Sequence, residues 1–294
     1  MLSRTLLMSC ALVASLGTIT AEEVIAFRGS LSAAPIVDAG GKAFAEAHPG
    51  VSFKITDSST PASLKAVSAG DVVLGATARD LKPDEKTQYP DLKLSLLCHD
   101  GVVLVVGKSF PLDAVSTKQV QDIYIGTAAS LKDLGGADTP VVPIGRPEAQ
   151  ATQELVFQVL GLESKVVTSD DGAKTLACKA KGGAEFGGAK VVIASNHKDA
   201  VSRVLTNPGA VTFIPLGMAN SLIAKGQALK VLALDGKVPS EASVLDGTYP
   251  LRRKLYLLTK GEPTGTVADF VTFMTGTEGQ AIVKKLEFIP IPSK

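Results

Sequence analysis

Arg146 is the one residue of the 294-residue chain placed to hold an anion by charge and geometry together. It stands in GRPEAQATQE (residues 145–154), just after a β-rich run ending at Ile144 and just before a helical stretch beginning at Ala151, with Gln150 and Thr152 four and six residues on. A guanidinium is a planar fork that binds two oxygens of a tetrahedral oxyanion at once. A helix start adds free N–H groups and about half a positive charge. Two other segments repeat the design of strand, hydroxyl-bearing turn and helix start. Gly29-Ser30-Leu31-Ser32 follows a strand centred on Ile25 to Phe27 and precedes a helix with Pro35 in its first turn, where a proline costs nothing because its N–H would be unpaired. Asp57-Ser58-Ser59-Thr60-Pro61 follows a strand ending near Ile55, so Ser58 and Ser59 offer hydroxyls ahead of a third helix. Taken singly, serines and threonines in such places are ordinary N-caps. Three at strand ends, one carrying an arginine, predict a dehydrated anion site.

The elements that must position these loops alternate. Short β-rich runs at Val51–Ile55, Val72–Gly75, Val102–Val106, Val141–Ile144, Val191–Ala194 and Val211–Ile214 are separated by helical stretches at Ala34–Ala47, Ala62–Ala69, Ala151–Leu160 and Val267–Thr275. In the last, Val267, Phe270, Val271 and Met274 fall at i, i+3, i+4 and i+7, one apolar face. The pattern predicts an α/β fold with largely parallel strands. Turn chemistry marks His48-Pro49-Gly50 and Asn207-Pro208-Gly209, and Asp100-Gly101 reads as a turn before the run at Val102. Residues 180–190, AKGGAEFGGAK, read as a flexible loop, since they lack the GK[ST] ending of a phosphate-cradling loop.

Composition narrows the partners. Residues 1–21 carry Arg4, an apolar run from Leu6 and small residues up to Ala21, the form of a secretory signal peptide. A lipid-acceptor reading of Cys10 leaves too short an apolar region. Without Arg4 the cations fall from 30 to 29 and match the 29 Asp and Glu. A balanced chain has no basic field for nucleic acid or anionic lipid. The absence of Trp and a 5% aromatic content argue against stacking platforms for sugars or aromatic cages. The three histidines, His48, His99 and His197, each have a local explanation, His197 in a polar Ser-Asn-His-Lys loop. HExxH, CxxC and GxSxG do not occur, so the sequence predicts no enzyme, no metal site and no cofactor.

Across nearly the whole exported chain these segments, in this order, resemble the phosphate-binding proteins of ABC transporters, of type 2 periplasmic-binding-protein fold. GSLSAAP resembles that family's first anion loop, DSSTPASLKAVSAGDVVLGATARDL its second serine loop with the following helix and strand, and HDGVVLVVGKSFPLDAVSTKQVQDIYIGT its crossover into a second lobe. GRPEAQATQE is similar to its arginine loop, and NPGAVTFIPL with DGTYPLRRKLYLLTKGEPTG to its return. The resemblance implies two lobes, residues 22–104 with 217–294 and residues 105–216, joined by two crossing hinge strands and clamping an inorganic oxyanion, phosphate first, for delivery to an ABC permease by a monomeric receptor. It implies roles for the Ser32 N–H, the Ser58 hydroxyl and N–H, the Arg146 guanidinium, and the Thr152 hydroxyl and N–H.

Four positions depart from the family pattern. Leu31 stands where the family has a threonine, Gln150 where it has a serine, Ala151 where it has a glycine, and Arg79 where some relatives carry an aspartate. Losing a hydroxyl donor to a charged acceptor costs about 1.5–3 kcal/mol, a weakening of roughly 10- to 150-fold. Gln150 could fill space or read another ligand, and Arg79 would favour a fully ionised anion. The alternatives that follow are the same fold with another small anion, or a sensory or scaffold module that has lost phosphate. Cys98 and Cys178 fall in different lobes, where a bridge would restrain closure, so unpaired thiols are expected.

Overall fold

The computed structural model describes residues 22–147 and 150–292; the expected leader at residues 1–21, with Cys10, lies outside them. The first unit is β1 (Glu23–Ser30), α1 (Ala34–Ala47), β2 (Val51–Ser58), α2 (Thr60–Ala69), β3 (Leu74–Thr77) and the short α3 (Pro83–Gln88). β4 (Leu92–Gly107) then leads through β5 (Ala114–Val115) and α4 (Thr117–Ile125) to β6 (Val142–Gly145) and α5 (Ala151–Val159). The hairpin of β7 (Leu162–Thr168) and β8 (Lys174–Ala180) follows, then β9 (Val191–Ile193), α6 (His197–Thr206), β10 (Ala210–Pro215) and α7 (Leu216–Ala224). β11 (Leu229–Val231), β12 (Ala233–Leu234) and α8 (Glu241–Leu245) precede β13 (Arg252–Lys260), and α9 (Gly265–Thr275) and α10 (Thr277–Lys285) follow it.

Local chemistry fixes these bounds. α1 buries Ala34, Ile36, Val37, Gly40, Gly41 and Phe44, one face of a 3.6-residue period, with Pro35 in its first turn. It ends at His48, before Gly50 in the left-handed region. α2 stops at Gly70, whose φ of 82° accepts a left-handed cap.

β4 organises the molecule. Residues Leu92–Gly101 pair antiparallel with β13, and Val102–Val106 pair antiparallel with β10. The partner changes between Gly101 and Val102, and β13 begins at Arg252 opposite Gly101. Two cores lie to either side. Ile25, Phe27, Phe44, Leu97 and Phe270 belong to one; Val102–Val106, Tyr124, Phe157 and Phe213 belong to the other. Val102–Val106 is fully buried, so an unbroken valine and leucine run is what this segment requires. Cys98 lies in the first core and Cys178 in the second, both buried.

Two expectations are corrected. The strands are not largely parallel: β1 pairs in parallel with β2 and β3, and β6 with β9 and β10, but every pairing of β4, β8 and β13 is antiparallel. A strand that carries the chain from one unit to the next runs against its neighbours, and no local pattern records direction. Asp100-Gly101 is no turn; both residues lie inside β4. Residues 217–251 pack into the second core through Ala219, Leu229, Leu232, Val244, Tyr249 and Leu251.

α7 meets the C-terminal segment at a point that admits only glycine. A Cβ on Gly217 would lie 1.8 Å from the carbonyl oxygen of Glu287, itself held at a φ of 67°. Gly217→Ala is expected to cost about 1–3 kcal/mol or more in urea unfolding, because backbone rather than a side chain must yield. Gly188→Ala, where nothing lies within 4 Å, is the neutral control. Equal midpoints for the two variants would contradict this packing.

Candidate functional site

The helix starts differ in how their free N–H groups are met. Ser59 caps α2 by accepting from Ala62 N at 3.4 Å, and Asn196 caps α6 by accepting from Asp199 N at 3.0 Å. α1 starts after Ala33 and α5 after Gln150, neither with a side-chain cap. The Gln150 amide instead reaches Ser195 O at 3.5 Å. These two uncapped starts line one cavity of about 300 Å³ together with the start of α6: Leu31, Ser32, Gln150, Ala151 and Thr152 share it with Asn196, His197 and Arg253. Uncapped N–H groups are the donors a bound anion takes up.

Four of the eight sequence-predicted residues, Leu31, Ser32, Gln150 and Thr152, are thus brought together. Ser58 and Ser59 are not among the residues lining that cavity: Ser59 is used as a cap, and the Ser58 hydroxyl donates to Ser59 O at 3.3 Å. Leu31 is 48% exposed, an apolar side chain on the cavity wall. Ala151 is the first residue of α5, and positive φ occurs off glycine only at Asp235 and Glu287 among the described residues. The position therefore does not demand the glycine that the resemblance implied.

Arg146 is fully buried behind this cavity. Its fork donates to Gly145 O at 3.1 Å, Thr212 Oγ1 at 3.4 Å and Phe213 O at 2.9 Å, and its centre lies 5.3 Å from the Phe213 ring. Among the described residues no carboxylate forms an ion pair with it. Burial lowers its pKa to about 10, which still leaves it charged at neutral pH. Its remaining contact is Nη2 to His197 Nδ1 at 3.3 Å. Arginine only donates, so Nδ1 accepts and the neutral ring carries its proton on Nε2. Burial first, then Arg146 and Arg253, push the His197 pKa down to about 4.

That depression has a sign. From about pH 6.5 down to about 4 the unfolded chain takes up the proton that the folded chain refuses, so stability is lost as the pH falls through this window, by at most about 3 kcal/mol. Urea midpoints between pH 7 and 4.5 are expected to drop more steeply for the wild type than for His197→Gln. Parallel profiles would remove His197 as the cause.

Two further arginines stand at strand ends, one at the start of β13 and one just after β3. Arg253, at the start of β13, donates to Asp100 Oδ2 from Nε at 2.9 Å and from Nη2 at 2.7 Å, with side chains 4% and 2% exposed. Burial pushes the Asp100 carboxyl up against the pull of Arg253. Arg79, expected to favour a fully ionised anion, is held by Glu85 in two bonds of 2.6 and 2.7 Å. Its hydrogen bond holds the Glu85 carboxyl below its ordinary range. The cation at position 79 is therefore matched from within its own unit, and Arg79 borders an adjoining cavity rather than the one at Ser32 and Thr152.

Among the described residues, five buried side-chain atoms find no hydrogen-bond partner: Ser30 Oγ, Arg79 Nε, Arg146 Nε, Gln153 Nε2 and Arg253 Nη1. All five can donate. Ser30 ends β1, Arg79 follows β3, Arg146 and Gln153 flank the turn from β6 to α5, and Arg253 opens β13 against β4. Buried polar groups are nearly always satisfied, so the stranded donors of Arg253, on the Ser32 cavity, and of Arg79, on the adjoining one, match ligands that bring acceptors. Sequence reading missed His197, Asn196 and Arg253. In Arg252-Arg253-Lys254 the alternation of strand side chains marks Arg253 as the inward cation once β13 is known, but three cations in a row look like a solvated surface.

A mixed sheet passing between two cores through crossing strands, with helix starts around a donor-lined cleft, defines the two-lobe solute-binding class of protein. The chain belongs to the PBP superfamily, whose domain matches residues 17–278. It is 24% identical over 270 residues to the phosphate-binding protein PstS of Bacillus subtilis, covering 90% of this chain and 79% of that one. Among solved structures it is similar to an ABC-type phosphate transport receptor from Vibrio cholerae, with TM-score 0.75 and 20% identity over 92% of this chain and all of that one. It is also similar to PstS from Borrelia burgdorferi, with TM-score 0.68 and 19% identity over 92% of this chain and all of that one. At these identities the solved structures establish the fold.

Proposed function

We propose that the protein is an exported receptor that clamps a small inorganic oxyanion, phosphate first, between two lobes and hands it to an ABC permease. The observation that carries this is the pair of uncapped helix starts on one cavity, with the buried cation of Arg146, which no carboxylate pairs among the described residues, behind it. An oxyanion offers only acceptors and negative charge, so it meets both needs at once. Relatives that carry phosphate in their names support phosphate as the first ligand to try. Ser32, Thr152, His197 and Arg253 line the cleft, Arg146 supplies charge from behind His197, and Gln150 and Leu31 shape the wall. The chemistry is binding rather than catalysis.

The lobes follow the cores: residues 22–101 with 252–292, and residues 102–251, hinged within β4 at 101–102 and just before β13 at 251–252. The leader at residues 1–21 directs export, with cleavage near Ala21, and the receptor works as a monomer. Isothermal titration of the exported chain with phosphate, and with sulfate, arsenate and molybdate beside it, tests the reading. Saturable phosphate binding at micromolar concentration or below is expected. Absence of binding heat with all four anions would overturn the reading.

A further inference from the structure

The cavity at Ser32 and Thr152 does not stand alone. A second cavity, of about 370 Å³, shares Ala151 and Arg253 with it and extends along α5 past Glu154, Leu155 and Gln158 to Thr60, Arg79 and Asp80. A water's share of liquid volume is about 30 Å³, so each cavity holds on the order of ten water-sized groups. A tetrahedral oxyanion is a handful of heavy atoms and fills only part of the first. The two cavities, side by side at Ala151 and Arg253, together have the size that takes an organic ligand.

The second cavity also asks for hydrogen bonds. Arg253 Nη1 and Arg79 Nε are buried donors without partners, and both residues line it; the Arg253 side chain is 4% exposed. Thr60 and Gln158 add groups that donate and accept, while Asp80 and Glu154 accept. Its charge is already balanced. Glu85 matches Arg79, Asp100 matches Arg253, and the lining holds Lys82 together with two carboxylates, Asp80 and Glu154. Arg252 and Lys254 also border it, but strand alternation turns their side chains to the face opposite Arg253. A donor-and-acceptor lining without excess positive charge fits hydroxyl groups better than a second anion. The apolar patches between them, Ala78, Leu81, Leu155 and Val159, fit the carbon chain that carries hydroxyls.

We infer that the site takes a phosphate monoester of a small polyhydroxy alcohol, its phosphoryl group at Ser32, Thr152 and His197 and its hydroxylated part in the cavity lined by Thr60, Arg79, Gln158 and Arg253. This rests on the oxyanion reading above and specifies its ligand. The ester keeps the terminal oxygens that the helix starts and Arg146 require, and its bridging oxygen leads past Ala151, the shared wall. Leu31, exposed in the first cavity where a hydroxyl donor is expected, removes a contact to the phosphoryl group that the ester's own hydroxyls can replace elsewhere.

Competitive titration of the exported chain with inorganic phosphate, glycerol phosphate, diphosphate and free glycerol tests the inference. Glycerol phosphate is expected to bind about tenfold more tightly than phosphate, the worth of one or two added hydrogen bonds. Gln158→Ala, an exposed position on α5, is expected to bring that ratio back toward one. Glycerol phosphate binding more weakly than phosphate, diphosphate binding more tightly than glycerol phosphate, or Gln158→Ala weakening phosphate and ester equally would each overturn the inference while leaving the oxyanion receptor in place. Binding of the ester without phosphate would support the inference and overturn inorganic phosphate as the ligand. Binding of none of the four would overturn both.

Discussion

Arg146→Ala is expected to weaken oxyanion binding by at least about 100-fold in isothermal titration. The guanidinium is fully buried, keeps its charge, and is paired with no carboxylate among the described residues. Its desolvation is met only by neutral acceptors: Gly145 O, Phe213 O, Thr212 Oγ1 and His197 Nδ1. An anion entering the cleft therefore meets a charge that nothing else has neutralised, and loss of one partner of a desolvated pair costs about 2–5 kcal/mol. Arg146→Lys separates field from fork. A lysine that restores most of the affinity would mean that Arg146 acts through its charge from behind His197, whereas a lysine as weak as alanine would mean that the planar fork turns to grip the ligand directly. Binding within threefold of wild type in the alanine variant would remove Arg146 from the site.

Asp100→Ala is expected to cost about 3–5 kcal/mol of folding stability, because it leaves the Arg253 cation buried without a counterion. Urea unfolding of the variant reads this directly. The effect is distinguishable from a packing defect. Asp100→Leu combined with Arg253→Met removes both charges and is expected to recover most of the loss, while a cavity left by a missing side chain would not be repaired by deleting a second polar group. A second signature follows from position. Arg253 lines the anion cleft, so Asp100→Ala frees a cation there, and added phosphate is expected to raise the urea midpoint of the variant by more than that of the wild type. A loss below about 1 kcal/mol would contradict the buried pair.

The elements were legible where a residue's demand is local. Pro35 and the apolar period of α1 set that helix, and the valine run at 102–106 set the buried part of β4. Leu31, Ser32, Gln150 and Thr152 were legible as cavity residues because hydroxyls and helix starts follow strands in sequence as they do in space. Asn196 and His197 follow the same rule after β9, but a Ser-Asn-His-Lys run also describes any polar loop, and only the contact to Arg146 at a separation of 51 residues gives the ring its place. Ser59 shows the converse. Its hydroxyl looked available and is taken by its own helix, since an N-cap is the nearest use for a serine.

By itself the sequence determined the alternation of strands and helices, the order of the hydroxyl-bearing turns before helices and the balanced charge, because periodicity, turn residues and composition act over a few neighbours. The tertiary structure alone decided which charges are spent and which remain. Arg79 and Arg253 are matched by Glu85 and Asp100, and Arg146 is left with neutral acceptors. Six residues separate Arg79 from Glu85 and 153 separate Arg253 from Asp100, so the balance is set by burial and by which chain segments the two cores bring together.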